Sequence, residues 1–537
     1  MKGFRPGKSK TYPMVFDMRD LVLGGDADST PVRDVMLKSG AILFLMYVLM
    51  KITGYFFNIL FVKYLSQESY GNFTYLWSLA MALTGLLAFE IGGSAQRYIA
   101  FYRGEGSMEK VRSTYKTGLL ISSFILVLST PLLILTHKLG FFGIDDYRFL
   151  FVFSLYAMHS ISQYFLGVFG GFRRPELSAF FGLLISVFKV VAIVVVVLLG
   201  YSYLKLLGIL LVLFLIYSLS SIAYCIRLYG FGGEFQKDIV PPLMKFGFSL
   251  ILVTTSMNLL AWGDIFLIKY YMGDSSVAVY NVAWLVSSAS LIFFFSVTDI
   301  FRPIVTEFLG GKDFSRASRT SSYILESFFL LFMPIFVVIL FFSREIIFIF
   351  FTPDYIEGVV PLQILSVGVF LFGVSILYKE LFSACGKPHL NALILGSGAV
   401  VNIASNYILI PLMGLTGAAY STLFSSGFIL ASSCIVLRRE LGMISLKPSS
   451  IRLSKIIFSS AIMILPILMI KPFFVNPLLS IAAPLSLAAL LYATALLVSK
   501  SFSSMDFEMM EMFLGKMGFD GRIKKFLLWV VSMGVSN

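Results

Sequence analysis

Apolar runs of about twenty residues, each closed by a short polar loop, recur from residue 40 to residue 499. The first two fall near 40–62 and 74–96 and the last two near 456–474 and 478–499; fourteen are expected in all. A backbone N–H or C=O inside a bilayer must find its partner within its own segment, so each run is expected to be a helix. The fold class that follows is an all-α membrane protein with 14 transmembrane helices. Residues 1–38 are polar, carry seven Lys and Arg, and hold no apolar stretch long enough for a signal peptide. They are expected to form a cytoplasmic tail lying on anionic headgroups of membrane lipids. Residues 505–537 place Phe513, Leu514, Phe526, Leu527, Leu528 and Trp529 among Lys and Arg, the pattern of an interfacial amphipathic helix.

The loops alternate in charge. With fourteen spans both termini share one side, and the termini plus the even-numbered gaps hold 33 of the 42 Lys and Arg. The odd-numbered gaps hold seven, and Lys51 and Lys189 lie within spans. Lys and Arg collect on the cytoplasmic side of short loops, so both termini are expected in the cytoplasm of a multi-pass cell-membrane protein. The same bias accounts for the net charge of +13 without a nucleic-acid partner.

The pattern also repeats. Shifted by 207 residues, Lys38 falls on Lys245, Gly40 on Gly247, Tyr64 on Tyr271 and Trp77 on Trp284, with only four tryptophans in the chain. Gly104 and Arg112 fall on Gly311 and Arg319. The turn Gly170–Pro175 matches Ser383–Pro388 at a shift of 213, which places about six extra residues in the outer loop 343–358. Internal duplication is the architecture of secondary transporters. Two six-helix lobes, 39–230 and 231–440, are expected, related by a pseudo-two-fold along the membrane normal. Two extra C-terminal helices follow in 441–500, then the amphipathic tail 501–537.

Composition agrees, with 58% hydrophobic and 13% charged residues and a mean hydropathy of +0.89, outside the range of soluble domains. Cys225, Cys385 and Cys434 are far apart, with neither a disulfide framework nor metal-ligand spacing. No glycine loop ending in Lys-Ser/Thr and no His-Glu-x-x-His occurs. The longest outer loop is too short to carry a catalytic centre. No enzyme activity, metal or cofactor is expected.

Several stretches resemble the polysaccharide-biosynthesis (oligosaccharide) flippases of the MATE-like multidrug/oligosaccharidyl-lipid/polysaccharide exporter superfamily. These are Tyr64–Phe73; Gln96–Ala100 with Gly104; and Gly386-Lys387-Pro388 followed by Asn402, Ile410-Pro411 and Gly414–Ala419. The resemblance covers roughly 38–440. It implies an alternating-access flippase that moves a polyprenyl-(pyro)phosphate-linked oligosaccharide from the cytoplasmic to the outer leaflet. Glycosyltransferases or a polymerase of the same pathway would be its partners. The other reading of such a chain is a MATE-type cation-coupled multidrug antiporter.

A charge within a span costs about 2.5–3.5 kcal/mol on insertion scales and so marks candidate function. Lys51 and Lys189 sit mid-span, and two ammonium groups in a low-dielectric cavity suit a phosphate or pyrophosphate. The repeat sets Asn258 over Lys51. Asn58, Arg97, and His159 with Gln163 on one face of span four, complete the candidate substrate-binding set. Glu90, Asp264, Asp299 and Arg302 are the candidates for ion coupling or gating. A structural alternative pairs Glu90 with Arg97, two turns along one face, and Asp299 with Arg302. Asp264 has only Lys269 nearby in sequence. Asn402 and Asn406 are expected to hydrogen-bond between helices.

Overall fold

The computed structural model describes residues 30–230, 233–291, 294, 305–309, 313–385, 387–440, 449–503, 506–507, 525, 528 and 532–534. Among these every long element is a helix and there is no strand. The first half runs α1 (Thr30–Tyr64), α2 (Gln67–Leu87), α3 (Ile91–Gly104), α4 (Met108–Lys138), α5 (Asp146–Gly171), α6 (Pro175–Leu198) and α7 (Tyr203–Tyr229). Helix α1 begins inside the stretch expected to be a polar tail. Pro31 stands in its first turn, where a missing N–H costs nothing. Ser66 caps α2 through Ser69 N at 3.2 Å, and Asp145 caps α5 through Arg148 N at 2.8 Å.

The second run is not one straight helix. It breaks at Ala88–Glu90, and α2 and α3 are bent by 48°. Apolar periodicity continues across the break, which is why the sequence alone reads as one span.

The second half runs α8 (Val240–Met272), α9 (Asp274–Ser288), α10 (Phe314–Phe341), α11 (Ser343–Phe350), α12 (Val359–Ala384) and α13 (Pro388–Glu440). The expected outer loop 343–358 is α11 followed by a 3-10 turn, Pro353–Gly358. At about 1.5 Å per residue, the 53 residues of α13 would span far more than a bilayer if straight. They are not straight: Gly414 has φ 59° and ψ −136°, and a Cβ on Gly417 would stand 2.1 Å from the Leu409 carbonyl oxygen. The chain doubles back there. Then come α14 (Ser450–Ile462), α15 (Ile464–Ile470) and α16 (Pro477–Val498). The described residues hold eleven helices long and apolar enough to cross a membrane, or up to twelve when α2 and α3 count as one span.

Contacts sort the turns into two ends. At the Tyr64 end, Gln67 donates to the Asp354 carbonyl (3.1 Å), Tyr75 to that of Phe142 (2.9 Å) and Tyr147 to that of Leu204 (2.9 Å). At the other, basic end, Arg103 donates to the Gly171 carbonyl (3.4 Å) and Phe172 stacks on Tyr229 at 3.7 Å.

The buried core follows the same division. One cluster runs through the first half and continues at the Tyr64 end into Ile265, Val277, Tyr280, Tyr355, Leu362 and Ala418 of the second half. At the basic end the second half has its own cluster, around Phe294, Phe328, Leu377 and Ile429. The buried cores are therefore fused at one end and separate at the other, where α8 still packs on α3 through Phe246 and Gly247.

Helices α14–α16 join the second half through α10 and α11. A small core of Val337, Phe342, Met463, Ile467 and Ala488 is shared, and Lys471 pairs with Glu345 (2.9 Å) while donating to the Phe341 carbonyl (2.6 Å). At the basic end Arg452 bonds Glu326 (2.6 Å) and Asp506, and Tyr323 donates to Asp506 (2.7 Å). Of the expected C-terminal amphipathic helix, only a few residues are among those described.

Candidate functional site

Where the two cores part, a cavity of about 770 Å³ opens, large enough for a sizeable organic headgroup. Helices α1–α6 form most of its wall, and α8 of the second half closes one side. From α8 come Thr254, Asn258 and Trp262, at i, i+4 and i+8 and so on one face. From α5 come His159 and Gln163, one turn apart with their Nε2 atoms 3.1 Å from each other. Gln96 and Glu90 line it from the α2–α3 break onward. The wall is thus rich in amides, hydroxyls and indoles, groups that bind by hydrogen bond and stacking.

Lys189 stands beside this cavity without reaching it openly. Its ammonium lies 3.4 Å from the centre of the Trp77 ring and 6.0 Å from that of Phe57, and Trp77 lines the cavity. Among the described residues no carboxylate pairs with it. Aromatic faces partly offset the cost of a buried cation, and they leave its hydrogen-bond donors available.

The other expected residues divide. Lys51 is exposed on α1, and its neighbours Tyr47 and Met50, not Lys51 itself, line the cavity. Arg97 is exposed and lies over the Phe246 ring at 4.2 Å; it makes no ion pair with Glu90, which lines the cavity. The break tilts α3, so two turns of sequence do not put these side chains on one face. Asn58 belongs to the fused end: Tyr70 donates to Asn58 Oδ1 (2.8 Å), and Asn281 of α9 donates to the Tyr70 hydroxyl (2.7 Å). Asp299 and Arg302 lie outside the described residues.

Asp264 is fully within the second half. Tyr280 and Thr422 donate to its Oδ2, the latter at 2.7 Å, and Asn406 donates to its Oδ1. Asn406 also donates to Asn402 Oδ1 (3.1 Å), while Asn402 Nδ2 and Asn406 Oδ1 have no partner among the described residues. Asn406 thus makes the expected interhelical bond, to α8, while Asn402 bonds Asn406 within its own helix. Lys269, the only cation near Asp264 in sequence, pairs with Asp274. The donor set here is all oxygen and amide, which suits a proton or a hard cation. No group of three His, Cys, Asp or Glu among the described residues could hold a metal ion.

Sequence reasoning passed over Gln96, Thr254 and Trp262. The α8 stripe of polar and indole residues at helical spacing was the available signal. Gln96 had been noticed only as part of a motif.

Comparison with known proteins places these features. The family described as "Polysaccharide biosynthesis protein" matches residues 36–308, and MatE matches 249–408. An uncharacterized membrane protein of Methanocaldococcus jannaschii is 29% identical over 195 residues, 35% of this chain and 38% of the relative. A Haloferax volcanii protein named "probable low-salt glycan biosynthesis flippase Agl15" is 28% identical over 182 residues, 34% of this chain and 39% of the relative. The matched segment thus spans less than half the length of these curated relatives. Among solved structures, an inward-facing multidrug resistance MATE transporter superposes with TM-score 0.64 at 15% identity, over 73% of this chain and 94% of its own. The inward closed form of the lipid II flippase MurJ gives TM-score 0.63 at 16% identity, over 85% and 98%. These structures share the fold. With more than half of its length matched by the family, and a multi-pass helical fold of the same kind, the chain belongs to the polysaccharide biosynthesis protein family.

Proposed function

We propose that the protein is an alternating-access flippase for a lipid-linked oligosaccharide whose anionic headgroup is neutralised at Lys189. The observation that carries this reading is the Lys189 ammonium, held mid-span on aromatic rings with no carboxylate partner among the described residues, next to a cavity lined by hydrogen-bonding groups. A phosphate would supply the missing anion, while amides, Asn258 and Trp262 face the sugars. Relatives and structural neighbours named as a glycan biosynthesis flippase and a lipid II flippase support the substrate class. The transported lipid would keep its tail in the bilayer and pass from the cytoplasmic to the outer leaflet.

In this reading α13 counts as two spans and α9 opens the eighth, which restores the fourteen of the sequence pattern. The two lobes, 39–230 and 231–440, then rock about the cavity. The basic end faces the cytoplasm by the Lys/Arg bias, so this conformation would be sealed outside, with the two cores apart inside and α8 packed on α3 between them. Enzymes that build the glycan would be its pathway partners.

Lys189→Ala should reduce transport roughly 10- to 100-fold, the worth of a charge-assisted hydrogen bond to a phosphate. Lys189→Arg should retain part of it. Lys51→Ala should cost less, because Lys51 is exposed on α1, whereas Lys189 is held on the ring of the cavity residue Trp77. The measurement is accumulation of lipid-linked glycan on the cytoplasmic face of cells. Full transport by Lys189→Ala would remove the anionic-headgroup mechanism.

Asp264 favours a second component, coupling to a proton or cation, as in an ion-coupled antiporter. Asp264→Asn should abolish any dependence of transport on a sodium or proton gradient. It should equally abolish any sodium-dependent rise in melting temperature. A sodium response that survives in Asp264→Asn would place the coupling elsewhere.

A further inference from the structure

Along α2 the cavity is lined by Trp77, Met81, Thr84, Gly85 and Ala88, at i, i+4, i+7, i+8 and i+11 and so on one helical face. Glu90 does not belong to that face. At 3.6 residues per turn, an unbroken α2 would point it roughly 160° away. It lines the cavity because the helix breaks at this point. Phe89 and Glu90 are both left-handed, with φ 53° and 46°, and neither is glycine. Each such residue disfavours this shape by roughly 5- to 30-fold. The opposite half supports the turn: Gly247 of α8 lies so close that a Cβ there would stand 2.5 Å from the Phe89 carbonyl oxygen. Ser94 donates to the Glu90 carbonyl at 3.2 Å. The strained turn thus brings one carboxylate into the cavity.

That carboxylate arrives without a protein cation. No ion pair among the described residues includes Glu90. Its Oε2 lies over Gly93, where a Cβ would stand 3.5 Å from it, in the first turn of α3, whose free N–H groups favour negative charge. Lys189 is held on Trp77, and about 15 Å of helix axis separates Trp77 from the end of α2 at Leu87. One cavity therefore has a cation towards the Tyr64 end and a carboxylate towards the basic end, each lacking a protein counter-ion among the described residues.

We propose that Glu90 sets the specificity for the glycan: the cavity accepts sugars that offer hydroxyl, amide or ammonium donors at this point and rejects sugars that carry a carboxylate there. This rests on the flippase reading, in which Lys189 takes the phosphate. A carboxylate only accepts hydrogen bonds, so donors on a sugar satisfy it. A uronic acid meets it as a like charge in a low-dielectric site. The spacing of the two charges keeps the phosphate off Glu90, so the cavity takes an anion at one end and excludes it at the other.

Two probes separate these roles: polyprenyl diphosphate bearing two N-acetylhexosamines, and the same lipid with both sugars replaced by hexuronic acids. Binding to the full chain in nanodiscs is read by tryptophan fluorescence, since Trp77 and Trp262 line the cavity. The native protein should bind the neutral probe at least about tenfold more tightly than the acidic one. Glu90→Gln should bring the two within about twofold by strengthening the acidic probe, whereas damage to the fold would weaken both. Glu90→Asp keeps the charge and should keep the preference. Lys189→Ala should weaken both probes alike and leave their ratio. Equal affinities in the native protein would overturn the specificity role and leave the flippase reading standing; failure of both probes to bind would overturn the two together. A preference that survives in Glu90→Gln would overturn Glu90 as its source.

Discussion

Gly71→Val will hold the molecule open at the Tyr64 end and stop transport. At Gly71, α2 meets the first residue of α9 so closely that a Cβ would lie 1.7 Å from the Asp274 carbonyl oxygen and 3.2 Å from Ala278 N. The obstacle is backbone at a helix start, not a side-chain tip that can swing aside. Around it the seal is polar and specific: Asn281 donates to Tyr70 (2.7 Å) and Thr74 (3.3 Å), and Tyr203 donates to Asn72 (2.9 Å), which reaches Asp274. Overpacking of this depth costs roughly 3 kcal/mol, a bias above about a hundredfold against the sealed form. Labels at Tyr64 and Tyr270, both exposed, should move apart, and glycan should accumulate on its side of synthesis. Wild-type spacing and transport in Gly71→Val would show that this contact is no gate.

Arg452→Ala is expected to release α14–α16 from the rest of the chain. Arg452 is 9% exposed and Glu326 8%, and the arginine joins Glu326, Asp506 and the Ser501 carbonyl (2.9 Å). Its loss leaves the Glu326 and Asp506 carboxylates, each about a tenth exposed, without their shared cation, a change worth roughly 3–5 kcal/mol. Faster proteolysis and hydrogen exchange should appear in 450–498 first, with a melting temperature several degrees lower. The matched variant Arg452→Met, Glu326→Gln, Asp506→Asn removes all three charges and should recover most of that loss. If Arg452→Ala leaves exchange in 450–498 unchanged, the apolar contacts of Val337, Met463 and Ile467 suffice to hold these helices.

Much of the fold was legible because a bilayer is a severe solvent. It demands helix wherever twenty apolar residues run together, so run length sufficed to find the eleven or twelve candidate spans among the described residues. The polysaccharide-biosynthesis family was legible from ordered short motifs such as Gly386-Lys387-Pro388 and Gly414–Ala419. Residues that act along one helix were also within reach: His159 and Gln163 share a face by their spacing alone, and Lys189 announces itself by its cost in the membrane.

What the sequence could not supply was everything that depends on which helices meet. The bend at Ala88–Glu90 leaves the apolar period intact, so nothing local reveals it, and it is the bend that parts Glu90 from Arg97. Asn58 stood among the candidate substrate contacts, yet Tyr70, itself bonded by Asn281 of α9, holds it at the Tyr64 end. Asp264 found its partners on α9 and α13, up to 158 residues away, while its sequence neighbour Lys269 turned to Asp274. Periodicity records how one helix faces its surroundings. Which surroundings those are, core, cavity or opposing half, is decided by packing between distant segments, and that information exists only once the chain has folded.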